Sequence, residues 1–242
     1  MANSGYYAAA VIRARKWSDR DIEANLSKFK GEQGPLRRYA SFDYCFNYFQ
    51  SYREQDRTAD IAAEENTQIS CLHLGFYLAS WGMFRGSVLL SRSVKQFQPV
   101  IELISQLPRQ IWEIDASGYS TDACKTLITT ADDIRASLAF PEGKWPSPTL
   151  ATKIMLGVFG NVPAFDSRVR HGLRASGLVG QFGLRALRDI GRFYDDHHEV
   201  IDRHREPTLE FSSRQFARRT YTQAKIIDEI FYIQGGGTLT RI

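Results

Sequence analysis

Apolar residues recur along most of this chain at spacings of three and four, the period of a helix with one buried face. Phe42, Phe46 and Phe49 fall on one such face, inside an aromatic-rich run that begins at Tyr39. Ahead of it, Ser18 followed by Asp21 has the form of a capping box and predicts a helix reaching about Phe29, before a break at 31–35. Asn66 or Thr67 is placed to cap a further helix that runs to about Arg85. The apolar residues of that helix (Ile69, Leu72, Phe76, Leu78 and Trp81) spread widely round its circumference, so it is expected to be central and buried.

Amphipathic helices are predicted over 94–107 and 121–138. The stretch 140–148 holds three prolines and a glycine and is the clearest break in the chain. Ser147-Pro148 then looks like an N-cap followed by proline at the first helical position, opening a short apolar helix to about Phe159. Further helices should begin at Asp166 and near Gly183. A last one is predicted from about Ser212 to Gln234, with Phe216, Ile227, Ile230 and Phe231 on its packing face and Gly235-Gly236-Gly237 as its stop. No alternating, strand-length segment competes and no internal repeat is seen. The pattern therefore predicts an all-α, compact multi-helix fold, one domain over 1–242 with a sub-lobe boundary at 140–148.

Composition narrows the class. With 242 residues, 43% hydrophobic and 24% charged, the chain has the make-up of a globular protein able to bury a core without disulfides. Arg85 and Arg92 interrupt the longest apolar stretch, so no bilayer span is expected, and the N-terminus lacks the basic start of a secretory signal. Cys45, Cys71 and Cys124 are odd in number, far apart and in no metal spacing, which points to a reducing cytoplasm. No metal or other cofactor is expected.

Charge distribution says more than net charge. Residues 1–149 hold 17 basic and 17 acidic side chains, whereas 150–242 hold 14 and 10, so the whole excess of +4 lies in the later part. Six arginines (Arg168, Arg170, Arg174, Arg185, Arg188 and Arg192) crowd into 166–192 against Asp166 and Asp189. Arginine presents a planar fork that fits phosphate bidentately, so these six are the candidate nucleic-acid contacts. The plainer alternative is a solvated helix face.

One segment carries a resemblance. Phe159-Gly160, then Pro163, then Asp166-Ser167-Arg168-Val169 matches the end of the helix-hairpin-helix motif of DNA glycosylases, over about 20 of the 242 residues. The resemblance implies base excision, with Asp166 as the catalytic residue that stabilises a cationic sugar or activates water beside a base flipped from its stack. In place of the family's glycine-rich hairpin stands Trp145-Pro146-Ser147-Pro148-Thr149, and the position of the lysine nucleophile falls near Thr149, one turn before Lys153. A member of this kind would be monofunctional. Without the resemblance, Asp166 is simply an N-cap aspartate. The phrases Leu78-Ala79-Ser80-Trp81-Gly82-Met83 and 157–166 also resemble a group of bacterial proteins, which implies no activity.

Two further constellations stand out. In Ser80-Trp81-Gly82-Met83-Phe84-Arg85-Gly86, Arg85 either lines a pocket with Trp81, holding a phosphate or carboxylate while the indole stacks on a base, or forms a buried pair with a carboxylate. Asp195, His198 and Asp202 share one helix face and have the chemistry of metal ligands, though the run also reads as a solvated face. Phosphate-loop, dinucleotide and nucleophile-elbow motifs are missing. Cys71, beside His73 in a helix expected to be buried, is a poor candidate for a reactive thiolate. The expected function is a nucleic-acid-acting protein of glycosylase-like, hydrolytic type. The alternatives are a non-catalytic module that binds nucleic acid or a protein partner, and a small-molecule or nucleotide-binding protein centred on Trp81 and Arg85.

Overall fold

The structure, a computed structural model, describes residues 17–31, 34–85, 88–138, 143, 145–212 and 216–236. Its helices are α1 (Asp19–Lys30), α2 (Ala40–Glu54), α3 (Glu64–Ser80), α4 (Gln98–Gln106), α5 (Arg109–Glu113), α6 (Thr121–Ser137), α7 (Pro148–Phe159), α8 (Ser167–Ala175), α9 (Leu184–Arg203) and α10 (Gln223–Gln234). Strands β1 (Pro207–Leu209) and β2 (Phe216–Thr220) form one antiparallel hairpin, with Pro207 opposite Thr220 and Leu209 opposite Phe216. The architecture is all-α apart from that hairpin. Among the described residues, no helix is long and apolar enough to cross a membrane.

Local signals set many of the boundaries. Ser18 and Asp21 form the reciprocal capping box of α1, Ser120 caps α6, and Ser147 with Pro148 opens α7 as predicted. Phe42, Phe46 and Phe49 all point from α2 into the core. Residues on both sides of the 140–148 break join one buried apolar cluster. Positions 139–142 and 144 lie outside the described residues.

Two predicted helices come out differently. The last helix starts at Gln223 rather than near Ser212, because the chain before it is drawn into the hairpin. Tertiary bonds hold β1 and β2 against α2: Thr208 Oγ1 donates to Asn47 Oδ1 at 2.8 Å, and Arg219 grips both oxygens of Glu54 at 2.6 and 2.7 Å. Thr222 then caps α10 through Lys225 N. Helix α3 is not central. It buries Leu74, Tyr77 and Leu78 but leaves Ile69, Leu72 and Phe76 exposed. Its side chains provide no N-cap, and Asn66 and Thr67 turn back to the carbonyls of Asp60 and of Ala62 and Ala63. It ends at Ser80, and Gly82 beyond it adopts a left-handed φ of 77°.

The central helices are α7 and α10. Every residue from Leu150 to Phe159 and from Gln223 to Tyr232 is buried. Helix α10 crosses α8 at two glycines, where a Cβ on Gly172 would collide with the Phe231 carbonyl and one on Gly235 with the Arg168 carbonyl. That close crossing packs α8 against the C-terminal end of α10.

Candidate functional site

The turn between α7 and α8 is fixed from several sides. Helix α7 ends at Gly160 in the left-handed conformation, φ 70°, and a Cβ there would lie 2.7 Å from Thr222 Cγ2 and 2.9 Å from the Phe46 ring. Glycine is thus required by both backbone and space. Asn161 donates to the Ile111 carbonyl at 3.0 Å, and the Tyr119 hydroxyl donates to the Asn161 carbonyl at 2.7 Å. Thr149 and Thr152 of α7 donate to the carbonyls of Phe165 and Ala164, while Ala164 N donates to Asp228 Oδ1 at 2.8 Å. Phe165 takes a φ of 47°, unusual for a residue with a side chain, immediately before Asp166.

Asp166 does two things. Its Oδ1 accepts from Arg168 N and Val169 N at 3.0 and 3.1 Å, capping α8, and its Oδ2 accepts from Lys153 Nζ at 2.9 Å. Burial alone would raise this carboxyl. The adjacent Lys153 ammonium and the two amides outweigh burial and hold it below the usual carboxylate range.

Beneath this pair lies a second cation. Lys225 Nζ, in the middle of α10, is 3.1 Å from Glu229 Oε1 and 4.0 Å from Asp228 Oδ2. The Glu229 contact is an ion pair without hydrogen-bond alignment, since Oε1 has no hydrogen-bond partner among the described residues. Burial works against the Lys225 ammonium, but Glu229, Asp228 and Asp43 more than offset it and its pKa is raised. Burial pushes Asp43 up to about 7, against the opposing Tyr221 hydroxyl and Lys225, and pushes Glu229 up to about 6 against Lys225. Asp228 is raised by burial in the same way.

Aromatic rings enclose both lysines. Lys153 Nζ stands 5.2 Å from the Trp81 ring, and Lys225 Nζ 4.7 Å from Phe42 and 4.9 Å from Phe29. A narrow cavity opens among Trp81, Tyr232, Lys153, Asp166, Lys225 and Asp228.

Of the residues singled out in the sequence, Asp166 and Trp81 meet at this cavity. Arg85 does not: it is exposed in the turn after α3, where it neither lines the cavity nor forms the buried carboxylate pair considered for it. The six arginines divide between α8 and α9. Arg168 does not line the cavity, but its Cζ lies 5.6 Å from the ring of Tyr232, which does. Arg170 donates to the Gly180 carbonyl at 3.2 Å, Arg188 to Thr121 Oγ1 at 2.8 Å, and Arg192 lies 3.8 Å from Asp189. Arg174 and Arg185 are exposed. Asp195, His198 and Asp202 do not assemble as ligands: Asp202 accepts from Tyr194 and Gln223, and His198 Nδ1 is 3.1 Å from the Asp195 carbonyl. No group of three candidate metal ligands occurs among the described residues.

Sequence reasoning missed Lys225, Asp228, Glu229 and Asp43, and set Lys153 aside. The one legible signal was a lysine standing alone in the apolar segment of α7. Compared with protein families, curated proteins and solved structures, the chain matches none.

Proposed function

We propose that the protein acts on nucleic acid as a helix-hairpin-helix glycosylase-like enzyme, with Asp166 as the reacting carboxylate and no lysine nucleophile. The observation that carries this reading is the situation of Asp166. Its side chain is 18% exposed, against 7% for Asp228 and 3% for Glu229, and it stands ionised at a cavity walled by Trp81 and Tyr232. Breaking an N-glycosidic bond builds positive charge on the sugar, which a fixed carboxylate stabilises. Held below the ordinary carboxylate range, Asp166 is a weak base, so its contribution is electrostatic. The base departs with the bonding electron pair, water adds to the sugar carbon, and the proton that water sheds ends on the base nitrogen. Lys153 directs its ammonium at Asp166, which agrees with a monofunctional reaction. The helix, left-handed Gly160 turn and Asp-capped helix support the family resemblance locally. Trp81 and Tyr232 provide ring faces for an extruded base. The cavity as it stands is too tight for a base, so entry requires one of these rings to turn. Arg168, Arg170, Arg174, Arg185, Arg188 and Arg192 are the phosphate contacts in this reading.

A second reading rests on the same residue. Asp166 is already satisfied by two amides and one ammonium, which is what a purely structural cap would show. The protein would then bind nucleic acid without chemistry. Oligonucleotides carrying deaminated, alkylated or oxidised bases, followed for release of free base, separate the two. Asp166→Asn keeps an N-cap and is expected to bind within about threefold of wild type while base release falls about 100-fold or more. Binding without release from any substrate by the wild-type protein would establish the second reading.

A further inference from the structure

We infer that a phosphate group seats at the mouth of this cavity between Arg38 and Arg168, carried by a nucleotide whose base lies against Trp81 or Tyr232. Arg38 precedes α2 and is exposed. Its Cζ lies 5.4 Å from the Trp81 ring and 5.2 Å from Tyr39, and its Nη2 donates to the Tyr232 hydroxyl at 3.0 Å. Arg168 stands over the ring of the same Tyr232. Tyr232, which lines the cavity, therefore carries one guanidinium at its hydroxyl and a second against its ring.

Several other arginines of the molecule are paired with acids, though Arg170 and Arg188, like these two, have only carbonyl or hydroxyl partners among the described residues. Arg57, Arg109, Arg135, Arg203 and Arg219 each have an acidic partner. Among the described residues, Arg38 bonds only to phenolic hydroxyls and Arg168 to the Gly236 carbonyl, so neither has a carboxylate. A guanidinium has five donors, and here most of them are left for a ligand. Asp166, one of the carboxylates at the cavity, is already committed to Lys153. Two forks with no carboxylate partner among the described residues, beside aromatic rings, suit a phosphate ester attached to a flat base. An indole N–H at Trp81, buried and without an acceptor among the described residues, adds a donor at the same wall. Arg38 fills the phosphate-holding role that was one of the two readings of Arg85.

The ligand class rests on the reading of the protein as nucleic-acid-acting, whereas the phosphate seat is tested without any turnover. Calorimetry of the full chain with a nucleoside 5′-monophosphate and with the matching nucleoside, and anisotropy of a labelled single-stranded oligonucleotide, are the readouts. The nucleotide or the oligonucleotide should bind, the nucleoside at least tenfold more weakly than the nucleotide, and R38A and R168A should each weaken the phosphate-bearing probe about fivefold or more. R168Q, which keeps the side-chain stem, replaces R168A if the latter melts early. Binding of the oligonucleotide alone, lost in both variants, places the phosphate in a polymer; binding of the mononucleotide places it in a free nucleotide. Equal binding of nucleotide and nucleoside, no binding of any probe, or unchanged affinity in both variants overturns the seat. If the variants lose binding but no base is ever released, the seat stands and base excision falls. If base is released and the arginine variants bind and turn over as wild type, the reverse holds.

Discussion

Helices α3 and α10 break the usual rule of burial in opposite directions. Helix α3 leaves Ile69, Leu72 and Phe76 at 47%, 42% and 69% exposure. Helix α10 buries Lys225, Asp228 and Glu229 at 5% or less. An exposed apolar side chain forgoes stabilisation, whereas a buried charge costs several kcal/mol unless it is paired. The second departure is the more expensive, and it is answered by partners: two lysines, four carboxylates and a ring of aromatic faces converge between α7, α8, α10 and α2. Among the described residues, nothing comparable compensates the α3 face. Charges retained at such cost are a reason to look for function at α10 rather than at α3.

The sharpest way to break this comparison is to remove the central cation. Lys225→Met leaves Asp228 and Glu229 facing each other, and is expected to cost about 3–5 kcal/mol in urea unfolding. The triple variant Lys225→Met, Asp228→Asn, Glu229→Gln should regain part of that loss. A single variant as stable as wild type would show that the cluster is not held by this cation.

A second effect lies in the pH dependence. Asp43 and Glu229 hold protons in the folded state up to about 7 and about 6, whereas in the unfolded chain they release them near 4. The folded state binds more protons between these values, so stability should fall as pH rises from about 4 to about 7, by several kcal/mol in all. Asp166 works the other way: its contribution is present above about pH 4 and is lost as pH falls through its depressed pKa. Asp43→Asn should flatten the upper part of the profile, read from urea midpoints at each pH. A midpoint that rises over that range would contradict the assignment.

The smallest effect belongs to α3. Phe76→Ser is expected to change stability by no more than about 0.5 kcal/mol, because the ring contributes little to the core. A loss of several kcal/mol on thermal unfolding would place Phe76 in a buried environment.

These two helices also mark how far the sequence was readable. Most punctuation was reliable: Ser18 with Asp21, Ser147 with Pro148, Gly160 and Asp166 all bound the helices they predict, whereas Asn66 and Thr67 do not cap α3. Sidedness was not. Apolar residues all round α3 suggested a central helix, yet among the described residues its outer side stays exposed. In α10, Lys225, Asp228 and Glu229 are spaced as a solvated i, i+3, i+4 set, and periodicity does not say that such a face turns inward. Asp166 and Trp81 were legible because a helix start and a tryptophan beside glycine carry local signals. Arg38 was not, because its role depends on Tyr232, 194 residues away. The hairpin escaped notice because long-range bonds from Asn47 and Glu54 hold it, and its own alternation does not.

The claim at the centre of this account is that Asp166 performs chemistry. Single-turnover release of free base from one oligonucleotide, measured side by side for wild type and Asp166→Asn at saturating protein, tests it most directly. The account predicts release by the wild-type protein and a rate about 100-fold or more lower in the variant, with affinity within about threefold. Equal rates in the two proteins, or no release by either, would contradict it.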